Sequence, residues 1–340
     1  MCSLWPGQYR EEDLVSRIDS ILSSVKDDLD RVEQSLFSSL AEHVELVRDV
    51  GGHVLSSGGK RFRPLLLLLA ARLCDYREEN HIPLACVVEY IHTATLLHDD
   101  VIDHAQIRRG NSSANAVWGN HTSILAGDFL LSKAFSMAIE AGNRDILRVL
   151  ARSATLMVEA EMLQIERSHD PLLSEAEYLQ IITKKTASLI SAASQIGAIL
   201  AGVNSSKEQA LAAYGLNVGI AFQIMDDVLD YASTENDLGK TIGKDLLEGS
   251  VTLPFIEALK RCSAQDKNIM LQLLHKGHEL SAADLTVIFD IINKHDGSRG
   301  AIDKAKAFIQ KAEDSLKVFD GKDQKTQLLH LAHYVVERRN

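Results

Sequence analysis

The chain is short of the residues that interrupt helices. It has five prolines in 340 residues, and few stretches in which β-branched and polar residues alternate as strands require. Aromatic residues make up only 5%, which disfavours a pocket walled by aromatic rings. There are four cysteines, Cys2, Cys74, Cys86 and Cys262, with no CxxC spacing. Neither a disulfide scaffold nor a zinc knuckle is indicated, and a reducing, cytoplasmic setting is expected. Positive charge is also scarce. Lys and Arg total 36 against 47 Asp and Glu, a formal net charge of −11. Such a chain gives no electrostatic support to nucleic-acid binding. The strongest apolar run, Leu65 to Ala71, falls far short of the roughly 20 residues that span a bilayer. The opening MCSLWPGQYREED has no apolar core of the signal-peptide type. Transient contact with a membrane surface is compatible with these features; spanning one is not expected.

What the chain does have is helical periodicity. Leu14, Ile18, Ile21, Leu22, Val25 and Leu29 recur at helical spacing and predict one helix over 11–35. Glycine breaks are expected at Gly51–Gly52 and at Gly58–Gly59. Pro64 suits a first helical turn, and 65–74 is too apolar for a surface helix. Further helices are expected from Pro83 to about Asp103, over 123–141, 146–164, from Pro171 to about Leu200, and over 206–232. A polar stretch covers 111–120, and a loop rich in Gly and Lys covers 233–250. Pro254 opens another helix, and the last ninety residues read as smaller, more solvated helices. No low-complexity linker divides the chain, so a single all-α domain over 1–340 is expected, with 65–74 and 84–97 central.

One pattern occurs twice. Residues 95–103 read TLLHDDVID and residues 222–230 read FQIMDDVLD. Asp99, Asp100 and Asp103 fall at i, i+1 and i+4, and Asp226, Asp227 and Asp230 repeat the spacing. On a helix the first and last of each set lie about 40° apart around the axis. Carboxylates so close repel one another unless cations lie between them, and oxygen-only ligands favour Mg²⁺ or Mn²⁺. Two such helices facing each other can grip a diphosphate through several ions. Solvated faces are not usually embedded, as these are, in apolar runs.

Bases accompany the acids. Gly58, Gly59, Lys60, Arg61, Phe62, Arg63 and Pro64 form a loop entering a helix, a good diphosphate site. It is not a Walker A loop, because Val54 and Arg61 stand where that motif needs Gly and Ser or Thr. Phe62 is expected to pack inward. Arg108 and Arg109 follow the first aspartates and can reach the same phosphates. Lys185 and Thr186 sit in an otherwise apolar helix. Lys240 and Lys244 lie in the loop LGKTIGKD. His98 reads as packing or as support for the first cluster.

GGKRFRP, LLHDDVIDxxxxRRG, KTA, FQIMDDVLD and GKxxGKD occur in the order found in the trans-isoprenyl diphosphate synthases. The chain resembles that family, in particular its bacterial medium- and long-chain polyprenyl synthases, across nearly its whole length. The resemblance implies an all-α bundle of the isoprenoid synthase type around a central cavity. It implies Mg²⁺ on Asp99, Asp100, Asp103, Asp226, Asp227 and Asp230, several ions to a site. It assigns Arg108, Lys185 and Lys240 to an allylic diphosphate, whether farnesyl, geranyl or dimethylallyl. Lys60, Arg63, His92 and Arg109 are assigned to isopentenyl diphosphate, with Arg338 approaching it from the tail. Gln223, Thr186 and Phe222 line the reacting region. A homodimer is also implied, with the product passed to membrane enzymes. Ser250 departs from the family pattern, which commonly has a base there.

Product length is expected to depend on an apolar tunnel beneath Asp99. Ala94 and Thr95, one turn earlier, are small, whereas short-chain relatives commonly place an aromatic plug at the position of Ala94. A medium or long, octaprenyl-like all-trans product is the expectation. A short geranylgeranyl or farnesyl product, a terpene cyclase and a non-catalytic subunit of a heteromeric synthase are the alternatives.

Overall fold

The computed structural model describes residues 11–59, 61–232 and 243–338. Cys2, Lys60, Lys240 and part of the Gly- and Lys-rich loop therefore lie outside the described residues. The chain runs through α1 (Glu11–Ser24), α2 (Lys26–Ser38), α3 (Glu45–Ser56), α4 (Phe62–Leu73), α5 (His81–Ile102), α6 (Ala114–Trp118), α7 (Asn120–Glu140), α8 (Arg144–Glu166) and α9 (Glu175–Ile182). It continues through α10 (Ser188–Leu200), α11 (Ser205–Ala232), α12 (Lys244–Leu247), α13 (Leu253–Arg261), α14 (Ala264–Leu274), α15 (Ala282–Lys294), α16 (Gly297–Ser315) and α17 (Asp323–Glu337). The only β-structure among the described residues is a two-residue ribbon, Ile107–Arg108 against Asn111–Ser112.

Several helix starts are written locally. The Asn143 side chain accepts from the amides of Asp145 and Ile146 at the head of α8. Ser174 and Glu177 close a capping box on α9, and Ser281 and Asp284 do the same on α15, satisfying amides that have no helical partner. Pro254 occupies the first turn of α13, where its missing N–H costs nothing.

Two apolar cores form, and α4 and α10 stand between them. Leu65, Leu66 and Leu69 face the first core while Leu67 and Leu68 face the second. Ile190 and Ala198 of α10 join the first, and Leu189, Ala193 and Ile196 the second. This double duty explains why α4 is apolar all round. The approach is close: a Cβ on Gly197 would lie 2.6 Å from the Ala71 amide, and one on Gly219 of α11 would lie 2.6 Å from Ala187 Cα. The first core also draws on α11, α13, α15, α16 and α17. The second is built on α5, α7 and α8.

The structure departs from the sequence expectations in four places. Residues 11–35 are split between α1 and α2 near Val25. Gly51 and Gly52 continue inside α3 rather than breaking it; Gly51 fits because Leu40 leaves no room for a Cβ, which would lie 2.9 Å from its side chain. The stretch 111–120 contains the short helix α6. The last ninety residues are not merely solvated, because Ile288, Ile292, Ala301, Ile309, Leu328 and Val335 belong to the first core. In addition, α7 is long and apolar enough to cross a membrane by length and composition alone. Its Ala126, Leu130, Ala134 and Ala138 pack into the second core, while Leu125 and Ile139 are exposed.

Candidate active site

Both aspartate sets sit at the C-terminal ends of long helices. Asp99 and Asp100 are in the last turn of α5, and Asp103 is its C-cap residue. Asp226, Asp227 and Asp230 lie in the last two turns of α11. The carbonyl end of a helix carries partial negative charge and disfavours carboxylates. Neither helix has a basic residue in its last turn. The compensation has to come from outside the helix.

Around the first set it comes from bases. Arg108 Nε donates to Asp100 Oδ1 at 2.6 Å, and Asp100 is buried. Lys185 reaches Glu161 at 2.6 Å and donates to Gln164 Oε1 at 2.9 Å. Burial pushes the Asp99 carboxyl up to about 6, helped by Glu161 and Asp103 and opposed by Lys185 and Arg108. Lys185 itself is raised, because Asp99 and Glu161 outweigh its burial.

Lys185 is presented by a turn of π-helix, Thr183–Ala187, between α9 and α10. Such a turn inserts one residue into the helical register and is frequent at functional sites. Lys184 reaches Glu159 at 3.0 Å. The Thr186 hydroxyl donates to Gln223 Oε1 at 2.7 Å, and Gln223 Nε2 donates to Asp227 Oδ1 at 2.8 Å. The Tyr178 hydroxyl donates to the other Asp227 oxygen at 2.6 Å. Asp227 is therefore buried and doubly hydrogen-bonded, and burial beside Asp226 and Asp230 still pushes it up to about 7. Asp230 accepts from the Asp245 amide at 3.3 Å.

Asp226 is bonded by the Arg338 guanidinium, which also lies 4.1 Å from the centre of the Phe222 ring. Phe222 stacks on Phe62 at 5.2 Å, so Phe62 packs inward as the sequence predicts. Beyond Phe62, at the head of α4, Arg63 carries an Nε with no hydrogen-bond partner. Burial lowers the Arg63 guanidinium to about 10, Glu89 and Asp226 holding it up and Arg109 pushing it down. His92 is held well below its usual range by burial and by Arg63, Arg109, Arg108 and Arg61. It is a neutral hydrogen-bonding group at pH 7. Arg109 folds back onto the Gly58 carbonyl, and a Cβ on Gly59 would lie 2.8 Å from its Nη1. Glycine is favoured there by its backbone, φ 148°, which side chains rarely adopt.

Among the described residues, Asp99, Asp100, Arg108 and Lys185 come together around the first aspartates, and Thr186, Gln223, Phe222 and Arg338 around the second; Lys60 and Lys240 lie outside the described residues. Arg61 is different. It is turned into an ion-pair network with Glu33 and Glu89 rather than presented to phosphate. His98 faces α7, 3.2 Å from the Ile124 carbonyl, which is a packing position. Ala94 is buried in the second core, and Thr95 is half-buried with its hydroxyl on the His92 carbonyl. Ser250 is not idle: Gln164 Nε2 donates to its hydroxyl at 3.1 Å, so the chain Ser250–Gln164–Lys185 replaces a base with a hydrogen-bonded link. Sequence reading missed Glu161, Gln164 and Tyr178. Glu161 and Gln164 share a face of α8 at i, i+3, but that helix is rich in acids and nothing marked this pair.

The donor set suits a hard divalent cation, being all oxygen, with three carboxylates at each site against one or two nearby bases. Among the described residues no three His, Cys, Asp or Glu side chains form a metal site by themselves. Ions held there would complete their shells with water and diphosphate oxygens, the usual state of Mg²⁺.

Comparison with known proteins identifies the family. Residues 44–292 match the profile of the family described as Polyprenyl synthetase. The octaprenyl diphosphate synthase of Haemophilus influenzae is 38% identical over 97% of this chain and 99% of its own. A geranylgeranyl diphosphate synthase of Methanosarcina mazei is 35% identical over 84% of this chain and 88% of its own. A crystal structure of a polyprenyl synthase from Caulobacter crescentus CB15, complexed with calcium and isoprenyl diphosphate, is 38% identical. It superposes with a TM-score of 0.91, covering 95% of this chain and 98% of that one. The chain belongs to the polyprenyl synthetase family. It is a trans-prenyl diphosphate synthase, close to the octaprenyl synthases, with the all-α isoprenoid synthase fold.

Proposed function

We propose that this protein condenses isopentenyl diphosphate with an allylic diphosphate in a Mg²⁺-dependent reaction, giving a medium- or long-chain all-trans polyprenyl diphosphate. The observation that carries the reading is the pairing of two carboxylate sets at helix C-termini with a separate basic pocket at Arg63, His92 and Arg109. Two diphosphates are thereby handled by different chemistry. Mg²⁺ on the aspartates supplies charge neutralisation for the diphosphate that departs. Arg108 and Lys185, with Lys240 by resemblance, hold that allylic diphosphate. Arg63, Arg109 and neutral His92, with Lys60, hold isopentenyl diphosphate beside it. The allylic C–O bond breaks and the electron pair leaves with the diphosphate. The isopentenyl double bond attacks the allylic carbon, and a proton from C2 passes to an oxygen of the departed diphosphate. The Thr186–Gln223 pair faces the developing cation with the Gln223 side-chain carbonyl dipole, and Phe222, packed against Phe62 and Arg338, supports it from beside.

Three features support a long product, a dimer and an onward hand-off. Ala94 offers no ring beneath Asp99. Relatives at 35–38% identity range from geranylgeranyl to nonaprenyl synthases, so identity alone does not set length, and Ala94 is the local feature favouring the longer. Leu125 and Ile139 of α7 and Val158, Met162 and Ile165 of α8 are exposed; we assign this apolar face to a second copy of the chain. The product, a long hydrocarbon on a diphosphate, suits acceptance by membrane enzymes from a cytoplasmic synthase.

Purified protein given labelled isopentenyl diphosphate, an allylic primer and Mg²⁺ should elongate the primer, and excess EDTA should abolish this. Asp100→Ala and Asp226→Ala should each lower turnover by about a hundredfold or more; elongation at full rate in EDTA contradicts the assignment. In the same assay Ala94→Phe should shift products to farnesyl or geranylgeranyl length while the first condensation persists. Wild-type product length at wild-type rate would remove Ala94 from the tunnel wall. Light scattering at micromolar concentration should report twice the chain mass, and a fully active monomer would refute the dimer.

A further inference from the structure

Arg61 is the one base of the GGKRFRP segment that the proposed reaction leaves without a task. Its backbone is left-handed, φ 44° and ψ 45°, a conformation that side chains with a Cβ adopt only when held. The hold is visible. Nε and Nη2 donate to the two Glu33 oxygens of α2, each at 2.8 Å. Nη2 also donates to the Leu55 carbonyl of α3 at 2.8 Å, and Nη1 donates to Glu89 of α5 at 3.0 Å. One guanidinium at the head of α4 therefore fastens three other helices, using the planar fork that lysine lacks.

The partner that matters is Glu89. It is 5% exposed, and a buried carboxylate left without partners is costly. Three guanidinium groups feel it: Arg61, Arg63 and Arg109 each gain from its charge. Only Arg61 bonds to it. Arg63, two residues further on, is left with an unpartnered Nε, and His92 stands one turn after Glu89 on the same helix.

We infer that Arg61 is a positioning residue: by occupying buried Glu89 from a fixed anchor on Glu33, it keeps Arg63 free for isopentenyl diphosphate. Without Arg61, Glu89 takes the nearest remaining cation, and Arg63 is drawn off the substrate. This rests on the proposed function, and it brings α2, remote from the aspartates, into the control of substrate affinity.

Steady-state kinetics with each substrate varied in turn tests it, with thermal melts to confirm folding. Arg61→Met should raise KM for isopentenyl diphosphate about tenfold. KM for the allylic primer should stay within twofold and kcat within threefold. The double variant Arg61→Met/Glu89→Gln should recover KM to within threefold of wild type, because the unpaired carboxylate that captures Arg63 is gone. A merely structural role predicts the opposite, a double variant worse than the single one. Arg61→Lys should keep Glu89 occupied and show a smaller rise than Arg61→Met. Equal rises in both KM values, or no recovery in the double variant, would overturn the inference. A wild-type protein unable to use isopentenyl diphosphate would instead overturn the proposed function.

Discussion

Carboxylates placed at the negative ends of two long helices are the constraint on which the rest of the site depends. Asp99, Asp100 and Asp103 finish α5, and Asp226, Asp227 and Asp230 finish α11. A helix C-terminus disfavours negative charge, and burial with neighbouring acids pushes the carboxyls of Asp99 and Asp227 up. The protein answers with Arg108 on Asp100, Arg338 on Asp226, Lys185 near Asp99, and Tyr178 and Gln223 on Asp227. These partners neutralise the sets only in part. The surplus negative charge is what a divalent cation with diphosphate can satisfy.

The fold exists to hold those two helix ends in register. With α4 and α10 between the cores, a shift of either would disturb both. Close glycine contacts at Gly197 and Gly219 leave little room for such a shift. The π-turn at Thr183–Ala187 then places Lys185 toward the first aspartates and Thr186 toward α11. Packing, register and chemistry meet in five residues.

Much of this was legible in the sequence. The doubled aspartate pattern, the basic glycine loop and the helical periodicity depend on neighbours a few residues apart, which is the range at which sequence speaks plainly. The assignment of α4 to the interior follows from its unbroken leucines. What was not legible depends on distant partners. Gly51 reads as a break until Leu40 is seen against it. Ser250 reads as a missing base until Gln164 links it to Lys185. Arg61 reads as a phosphate ligand until Glu33 and Glu89 are found around it. The C-terminal helices read as solvated because their apolar residues are spaced among lysines, yet they complete the first core.

The central claim is that the two carboxylate sets take divalent cations together with diphosphate. Titration of the protein with Mn²⁺, followed by the loss of the free-ion electron paramagnetic resonance signal, tests it with and without inorganic diphosphate at matched free Mn²⁺. Binding of more than one ion per chain, at least tenfold tighter with diphosphate present, is the predicted result. Mn²⁺ binding that is absent, or that is unchanged by diphosphate, would contradict it.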